Sequence, residues 1–211
     1  MRSLIRPALL VLLLLPFSGQ AQFLEGVEYT RINPQPVETG SKIEVREFFW
    51  YGCSHCFALE PSLEKWLKTL PKNAQFVRTP ALFNEQWAVH ARAYYAFEVL
   101  GITAKMHYPL FQAIHGEKRP LNNADSLAAF VAEKGGDRTA FLDAYNSFGM
   151  QASLNRALQA ARAYRIESVP TLIVDGKYMT NSNIAGGHDK VPKVLDFLIK
   201  KAAAERSAAK K

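Results

Sequence analysis

The segment that most constrains the fold is residues 48–57, FFWYGCSHCF, which contains the only two cysteines of the chain. The preceding residues, 42–50, alternate in polarity and then become apolar, which predicts a strand that ends inside a sheet. After Cys53 the apolar residues follow helical spacing. They are Cys56, Leu59, Leu63, Leu67 and Leu70. The segment therefore predicts a strand, a tight turn and a helix that begins at the first cysteine, is kinked at Pro61 and ends at Pro71.

The patterns that follow predict one α/β sheet domain interrupted by helices. They are a strand at residues 75–79, five helices within residues 84–164, a strand at residues 170–174, a hairpin turn at Asp175-Gly176, a returning strand at residues 177–179 and a closing helix over residues 189–200. The first strand, helix and strand form a parallel βαβ unit. In the fourth predicted helix, residues 137–148, the spacing directs Phe148 toward the core.

The N-terminus has the pattern of a secretory signal. Arg2 and Arg6 precede an apolar run over residues 8–17, and small residues lead to a cleavage site after Ala21. The run is shorter than the roughly 20 residues that a membrane span needs. We therefore expect an exported product that begins at residue 22.

The formal net charge of +7 does not indicate nucleic-acid binding. Two basic residues lie in the expected signal, and a cluster of basic residues lies after position 199. The rest of the chain has 19 basic and 18 acidic residues. We expect the alanine- and lysine-rich residues 202–211 to be a fraying helix end and a solvated terminus.

The spacing of Cys53 and Cys56 decides between several kinds of cysteine chemistry. A bridge across two residues restrains the unfolded chain little, so a structural disulfide is disfavoured. Zinc needs four ligands, and no histidine pair accompanies the cysteines at zinc-site spacing. A c-type haem site needs histidine after the second cysteine, where Phe57 stands. A redox-active dithiol and disulfide couple remains.

The two cysteines should have different roles. Cys53 lies at the expected helix start, where free N–H groups and the helix dipole stabilise a thiolate. Cys56 faces the apolar stripe and should be less exposed, so that Cys53 forms the mixed disulfide and Cys56 resolves it. His55 is either a tuning group for the thiolate or a solvated polar residue, and we favour the first.

Two further residues leave alternatives open. Glu47 shares a strand face with Val45 and Phe49, which would bury a carboxylate; an edge position or an ion pair is the other interpretation. Pro170 opens a predicted strand, where its missing N–H costs little. The sequence pattern does not decide whether its peptide bond is cis.

These motifs resemble the DsbA family of thioredoxin-fold thiol–disulfide oxidoreductases of the bacterial periplasm. The resemblance covers residues 22–201. It is carried by Glu47-Phe48-Phe49 before Cys53-Ser54-His55-Cys56, by Val169-Pro170 before Asp175-Gly176-Lys177-Tyr178, by Gln86-Trp87-Ala88, and by Tyr145-Asn146-Ser147-Phe148. One departure is Ser54, since the best-studied members have proline there.

The resemblance implies a thioredoxin fold with an inserted all-helical domain. We divide the chain into a signal peptide, residues 1–21; a first part of the thioredoxin-fold domain, residues 22–82; a helical insertion, residues 83–164; a second part of the thioredoxin-fold domain, residues 165–201; and a basic tail, residues 202–211. The resemblance also implies a cis Val169–Pro170 bond beside the cysteines. Arg78 stands where the family tends to have a lysine opposite the buried acid, so an ion pair of Arg78 with Glu47 is expected.

The expected function is donation of the Cys53–Cys56 disulfide to newly exported proteins. The resemblance implies unfolded secreted chains as substrates and a DsbB-like membrane partner as reoxidant. A reductase or isomerase is the alternative, although isomerases of this fold usually carry a dimerisation domain before the sheet domain. A binding module with an inert bridge is the third interpretation. We expect a monomer that uses no metal or organic cofactor and binds no nucleic acid.

Overall fold

The computed structural model describes residues 23–209, so the expected signal peptide and its cleavage after Ala21 lie outside the described part. The elements are β1 (Thr30–Arg31), β2 (Ile43–Phe49), α1 (Ser54–Leu67), β3 (Ala74–Pro80), α2 (Glu85–Val99), α3 (Thr103–His115), α4 (Ala124–Glu133), α5 (Arg138–Tyr145), α6 (Phe148–Ala163), β4 (Thr171–Val174), β5 (Tyr178–Thr180), a 3₁₀ turn (His188–Lys190) and α7 (Val191–Ala208).

The strands form one mixed sheet in the order β1-β5-β4-β2-β3. β2 pairs parallel to β3 and antiparallel to β4, and all seven of its residues are buried. The predicted parallel βαβ unit is therefore confirmed. The C-terminal end of this central strand leads directly into the cysteine turn, so the sheet fixes the position of that turn.

The two faces of β2 contact different parts of the chain. Val45 packs in a cluster with residues of α1 and α7, whereas Phe48 packs against Ala161 and Tyr164 at the end of α6. The five helices between β3 and β4 have a separate core, which also contains Phe49, Tyr51 and Cys56. The residues around the cysteines therefore join the helical core to the sheet. The boundaries of the proposed domains remain a prediction.

The hairpin predicted at Asp175-Gly176 is confirmed. Asp175 has φ 54° and Gly176 has φ 65°, and β4 and β5 pair antiparallel on either side. Two positive φ angles are what a type I′ turn requires. A Cβ at Gly176 would lie 2.1 Å from the carbonyl oxygen of Gln35, so glycine is needed there for space as well.

Two expectations about helix ends are wrong. α1 ends at Leu67 rather than at Pro71. Leu70 precedes proline and therefore disfavours helical backbone angles, and the N–H groups of Thr69 and Leu70 bond to carbonyls three residues earlier instead of four. Phe148 is fully exposed rather than inward-facing. The predicted fourth helix stops at Tyr145, and Phe148 is the first residue of a separate helix, α6.

The expectation that residues 202–211 form a fraying, solvated end is wrong as far as Ala208, where α7 ends. Ala202 is buried. The Arg206 guanidinium forms an ion pair with Asp175, and the Tyr178 hydroxyl donates to Glu205. The last turns of α7 are therefore attached to the β4–β5 hairpin by polar contacts that the composition of the segment does not reveal.

Within residues 23–209, no helix has the length and apolar character needed to cross a membrane.

Candidate active site

The turn after β2 places Cys53 at the N-cap of α1. Its backbone is extended, with φ −89° and ψ 116°, and its Sγ accepts a hydrogen bond from the Cys56 N–H at 3.4 Å. The Cys53 N–H in turn donates to the Trp50 carbonyl at 3.0 Å. The sulfur therefore takes the position in which a side chain satisfies a free N–H group of the first helical turn.

Cys53 and Cys56 are both thiols in this structure, and they differ in exposure as expected. Cys53 is partly exposed and Cys56 is buried. A hydrogen bond from the Cys56 thiol lowers the pKa of Cys53 to about 6, and backbone N–H groups and His55 act in the same direction against the effect of burial. Burial raises the pKa of Cys56 well above the ordinary thiol value, and the hydrogen bond to Cys53 adds to this. Cys53 is thus the sulfur that ionises near neutral pH.

The loop before β4 lies against Cys53. The Val169–Pro170 bond is cis, as the resemblance implied, and the Cys53 thiol lies 3.4 Å from the Val169 carbonyl oxygen, to which it donates. A backbone acceptor therefore lies next to the reactive sulfur. The sequence separation of 116 residues shows that only the folded chain brings them together.

His55 and Ser54 are both exposed in the first turn of α1. His55 borders an open groove of about 490 Å³ that continues past the cis-proline loop. The groove is lined by Ser168, Val169, Pro170, Asn181, Ser182, Asn183, Gly186, Gly187 and His188 in addition to His55. This is a depression beside Cys53 in which an extended chain can lie.

An aromatic stack borders the cysteine turn on its other side. The Trp50 and Trp87 rings are parallel within 8° at 4.2 Å, and Phe83 packs on Trp87 at 4.6 Å. The Trp50 ring lies over Gly52, where a Cβ would be 2.3 Å from ring carbon Cζ2. Because real Cβ atoms do not approach so closely, glycine at position 52 permits this stack next to Cys53.

Replacing Gly52 with alanine should displace Trp50 from Trp87 and reduce the free energy of unfolding by about 1–2 kcal/mol, through overpacking and the lost stacking. Urea unfolding and near-UV circular dichroism of the coupled indoles measure the two effects. Gly149→Ala is the matched control, because a Cβ at that helical position meets nothing within 4 Å. An unchanged stack in the Gly52→Ala protein would contradict the steric argument.

Glu47 is buried, and the expected contact with Arg78 is present. Glu47 and Arg78 are register partners on β2 and β3, and the Arg78 Nε donates to Glu47 Oε2 at 3.2 Å. Burial raises the pKa of Glu47 to about 8, and the charge of Glu60 adds to the rise against the effect of Arg78. The charge of Glu47 in turn contributes to the raised pKa of Cys56. The edge-strand interpretation of Glu47 is therefore wrong.

Glu60 on α1 completes this buried group. An Arg78 terminal nitrogen lies 2.9 and 2.8 Å from its two carboxylate oxygens, and His107 Nε2 lies 2.8 Å from Oε1. Burial alone would raise the pKa of Glu60, but the hydrogen bond from His107 and the charge of Arg78 outweigh it, and the pKa is lowered. The two carboxyl groups that share Arg78 thus differ in protonation.

The sequence interpretation missed three of these residues: Tyr51, Glu60 and His107. A signal existed for Glu60, which is four positions after Cys56 and three before Leu63 on the buried helical stripe. A similar signal existed for His107, which shares the apolar face of α3 with Phe111. Their meeting could not be inferred, because α3 belongs to the segment inserted after β3.

No group of three or more histidine, cysteine, aspartate or glutamate side chains within residues 23–209 is placed to hold a metal ion.

Comparison with known proteins identifies relatives over the full length of the chain. The family model of the DSBA-like thioredoxin domain matches residues 44–198. The chain is 42% identical over 214 residues to a Pseudomonas aeruginosa protein named thiol:disulfide interchange protein DsbA, with 100% of both chains covered. A Burkholderia cepacia protein of the same name is 41% identical over 169 residues, covering 80% of each chain.

Solved structures agree with these relatives. The crystal structure of Pseudomonas aeruginosa DsbA superimposes with a TM-score of 0.83 at 42% identity, covering 90% of this chain and 97% of the other. The oxidoreductase DsbA of Xylella fastidiosa superimposes with a TM-score of 0.79 at 30% identity, covering 86% and 98%. The similarity therefore includes both the sheet and the inserted helices.

Proposed function

Because the chain belongs to the DsbA-like thioredoxin-domain family and is a thiol:disulfide oxidoreductase, we propose that it acts as an oxidase, donating its Cys53–Cys56 disulfide to exported proteins. The observation that carries this direction is the contrast between the sulfurs: a partly exposed Cys53 with a pKa of about 6 and a buried Cys56 with a raised pKa. Stabilising the Cys53 thiolate stabilises the reduced protein, so its disulfide is a strong oxidant.

The proposed reaction begins when a substrate thiolate attacks Cys53 Sγ. The Cys53–Cys56 bond breaks, its electron pair goes to Cys56 Sγ, and a mixed disulfide forms at Cys53. A second substrate thiolate then attacks the substrate sulfur of that mixed disulfide. The substrate leaves with its own disulfide, and Cys53 departs as the stabilised thiolate. The protein has gained the two electrons that the substrate lost.

We assign Glu47 as the proton donor to Cys56. The departing Cys56 sulfur is buried and holds a proton more tightly than an ordinary thiol. Glu47 is the buried carboxyl group whose charge influences that thiol, and with a pKa of about 8 it holds a proton at neutral pH. Transfer of this proton leaves Cys56 neutral and Glu47 as a carboxylate beside Arg78.

The remaining predicted site residues position or tune these groups. His55 adds a favourable electrostatic contribution to the Cys53 thiolate, and exposed Ser54 occupies the position next to the reactive sulfur. Val169 and Pro170 border the groove beside Cys53, where the Val169 carbonyl faces the sulfur. We propose that a substrate strand lies in this groove and pairs with the loop backbone.

The cellular setting is also a proposal. A secretory signal in residues 1–21 and the kinship with DsbA proteins support export to the periplasm, with cleavage after Ala21. There a DsbB-like membrane protein would restore the disulfide by accepting two electrons. The substrates would be secreted proteins with reduced cysteines, and the chain would act as a monomer without nucleic acid.

Equilibration of the mature protein with glutathione buffers tests the direction. An oxidase requires a disulfide that glutathione reduces readily. A couple that remains oxidised even in strongly reducing glutathione buffer would instead indicate the reductase interpretation, and a bridge that does not exchange would indicate a binding module.

The pH dependence of stability gives a second expectation. The folded pKa of Cys53, about 6, lies below the unfolded thiol value of about 8.5. The stabilisation of the reduced protein is therefore fully present above the unfolded value and is lost as pH falls through about 6. Below about pH 8.5, where Cys56 stays protonated in both the folded and the unfolded protein, subtracting the oxidised protein's free energy of unfolding should isolate this effect, because the buried carboxyl groups are present in both forms. A reduced-minus-oxidised difference that is independent of pH would contradict the assignment.

A further inference from the structure

His107 joins the buried carboxyl groups to the cysteine turn through two hydrogen bonds. Its Nε2 lies 2.8 Å from Glu60 Oε1, and its Nδ1 lies 2.8 Å from the Tyr51 hydroxyl. Both His107 and Tyr51 are buried. Tyr51 stands two residues before Cys53, and His107 comes from the inserted helix α3. The contact therefore joins the helical insertion to the buried Glu60 carboxyl group on α1 and to the turn that carries Cys53.

The direction of each hydrogen bond follows from the groups involved. Burial raises the pKa of Tyr51 well above its ordinary value, so its hydroxyl keeps its proton and donates to Nδ1. Burial and Arg78 lower the pKa of His107, so the ring is neutral and carries its proton on Nε2. The ring therefore donates to Glu60, as a neutral imidazole with one occupied acceptor must.

The charges in the cluster favour ionisation of only one of the two carboxyl groups at neutral pH, so the other holds a proton. One cation, Arg78, faces the two buried carboxyl groups, and like charges at close range cannot both be held ionised without cost. Glu60 receives donors from His107 and Arg78, whereas Glu47 receives only the longer contact of 3.2 Å from Arg78. The additional donor to Glu60 comes from His107.

Other titratable groups that face this cluster do not supply a comparable donor to either carboxyl group. They are Glu64 on α1, whose carboxylate is half-exposed and 3.6 Å from Arg78, Tyr94 and Glu98 on α2, and Cys56 on α1. Tyr94 is buried with a raised pKa, chiefly because of burial, and is therefore neutral. Within residues 23–209, His107 is the neutral donor that distinguishes the two carboxyl groups.

We propose that His107 is a positioning residue for disulfide exchange: by donating to Glu60 it keeps Glu60 ionised and keeps the proton of the carboxyl pair on Glu47, from which Cys56 is protonated. The inference rests on the proposed role of Glu47. In the reaction, the proton leaves the Glu47 carboxyl group and joins Cys56 Sγ as the Cys53–Cys56 bond breaks. The Tyr51 hydroxyl fixes the ring tautomer that makes His107 a donor toward Glu60.

His107→Leu in the mature protein tests this proposal. Without the imidazole donor the proton should move toward Glu60, so the titration midpoint of Glu47 should fall from about 8. We expect a fall of about one pH unit or more, and a fall of one unit is a tenfold change in the protonation equilibrium of Glu47. Carbon-13 NMR of labelled glutamate side chains follows Glu47 and Glu60 separately. His107→Gln, whose amide can donate to Glu60, should restore much of the midpoint.

His90→Leu is the matched control. His90 is also a buried histidine of the insertion with a lowered pKa, chiefly caused by burial, but its ring bonds the Leu121 carbonyl and touches neither carboxyl group. It should leave the Glu47 midpoint unchanged. If His90→Leu lowers that midpoint as much as His107→Leu does, the effect is general loosening of the insertion and the proposal is wrong.

Tyr51→Phe keeps the proposal testable if His107→Leu does not fold, and it should lower the Glu47 midpoint by a smaller amount. An unchanged midpoint in every folded variant of His107 and Tyr51 would overturn the proposal. The pH profile of single-turnover oxidation of a thiol peptide separates this result from the proposed function. A shifted carboxyl titration with an unshifted rate profile would refute Glu47 as proton donor while leaving the hydrogen-bond role of His107 intact.

Discussion

Replacing Cys56 with serine should abolish disulfide donation and turn the protein into a trap for thiols. The variant retains the Cys53 thiol at the N-cap of α1, exposed enough to form a mixed disulfide. It lacks the buried sulfur that would attack Cys53 to release the partner. We expect covalent adducts with exported proteins to accumulate, visible as bands that disappear on reduction in non-reducing gel electrophoresis.

Cys53→Ser is the matched control and should form far fewer adducts, because the remaining Cys56 thiol is buried and has a raised pKa. The double variant should form none through these sulfurs. If Cys53→Ser accumulates as many adducts as Cys56→Ser, the roles of the two cysteines are reversed. If neither does, the protein does not exchange disulfides with exported proteins by this route.

Replacing Arg78 with alanine should cost about 3–5 kcal/mol of stability near pH 8, the usual penalty for removing one partner of a buried ion pair. The loss leaves Glu47 and Glu60 buried without the cation that bridges them. Both carboxyl groups should then titrate above their unfolded values. A carboxyl group whose folded pKa lies above its unfolded pKa destabilises the folded protein as pH rises, because it must stay protonated or be buried as an unpaired charge. The stability lost in Arg78→Ala should therefore be smaller at pH 5 than at pH 8.

Urea unfolding of the oxidised protein at the two pH values measures this effect. Arg138→Ala is the control, because the side chain is half-exposed and its ion pair with Asp125 is at the surface, where such pairs are worth about 0–1 kcal/mol. Arg78→Lys keeps the positive charge but loses the branched guanidinium group that reaches both carboxyl groups. Its loss of stability should therefore be smaller than that of Arg78→Ala but larger than zero. A loss below about 1 kcal/mol for Arg78→Ala at pH 8 would contradict the buried-cluster argument.

The family similarity and the fold confirm the expected thioredoxin fold with inserted helices. The elements that sequence reasoning found most directly are those whose signals are local. The strand before Cys53, the helix after it and the Asp175-Gly176 hairpin each follow from periodicity or from φ requirements within a few residues. Such signals hold because neighbouring residues alone set the backbone conformation.

Errors arose where the outcome depended on contacts between distant segments. The end of α7 is fixed by Arg206 and Glu205 contacting the β4–β5 hairpin, which no composition of residues 202–211 indicates. Phe148 is exposed because the chain breaks between α5 and α6, although the apolar spacing continues across the break. A periodic pattern identifies a buried face only for as long as the helix is continuous.

For the reactive centre, the residue pattern alone predicts two cysteines three apart at a helix start, and therefore a dithiol couple with unequal sulfurs. The surroundings of the two sulfurs come from distant segments, which the folded chain brings together. The fold places the Val169 carbonyl against Cys53, and His107 against Glu60. The two cases differ because a thiol at an N-cap is stabilised by its own helix, whereas the protonation of a buried carboxyl group depends on which distant donors the fold places against it.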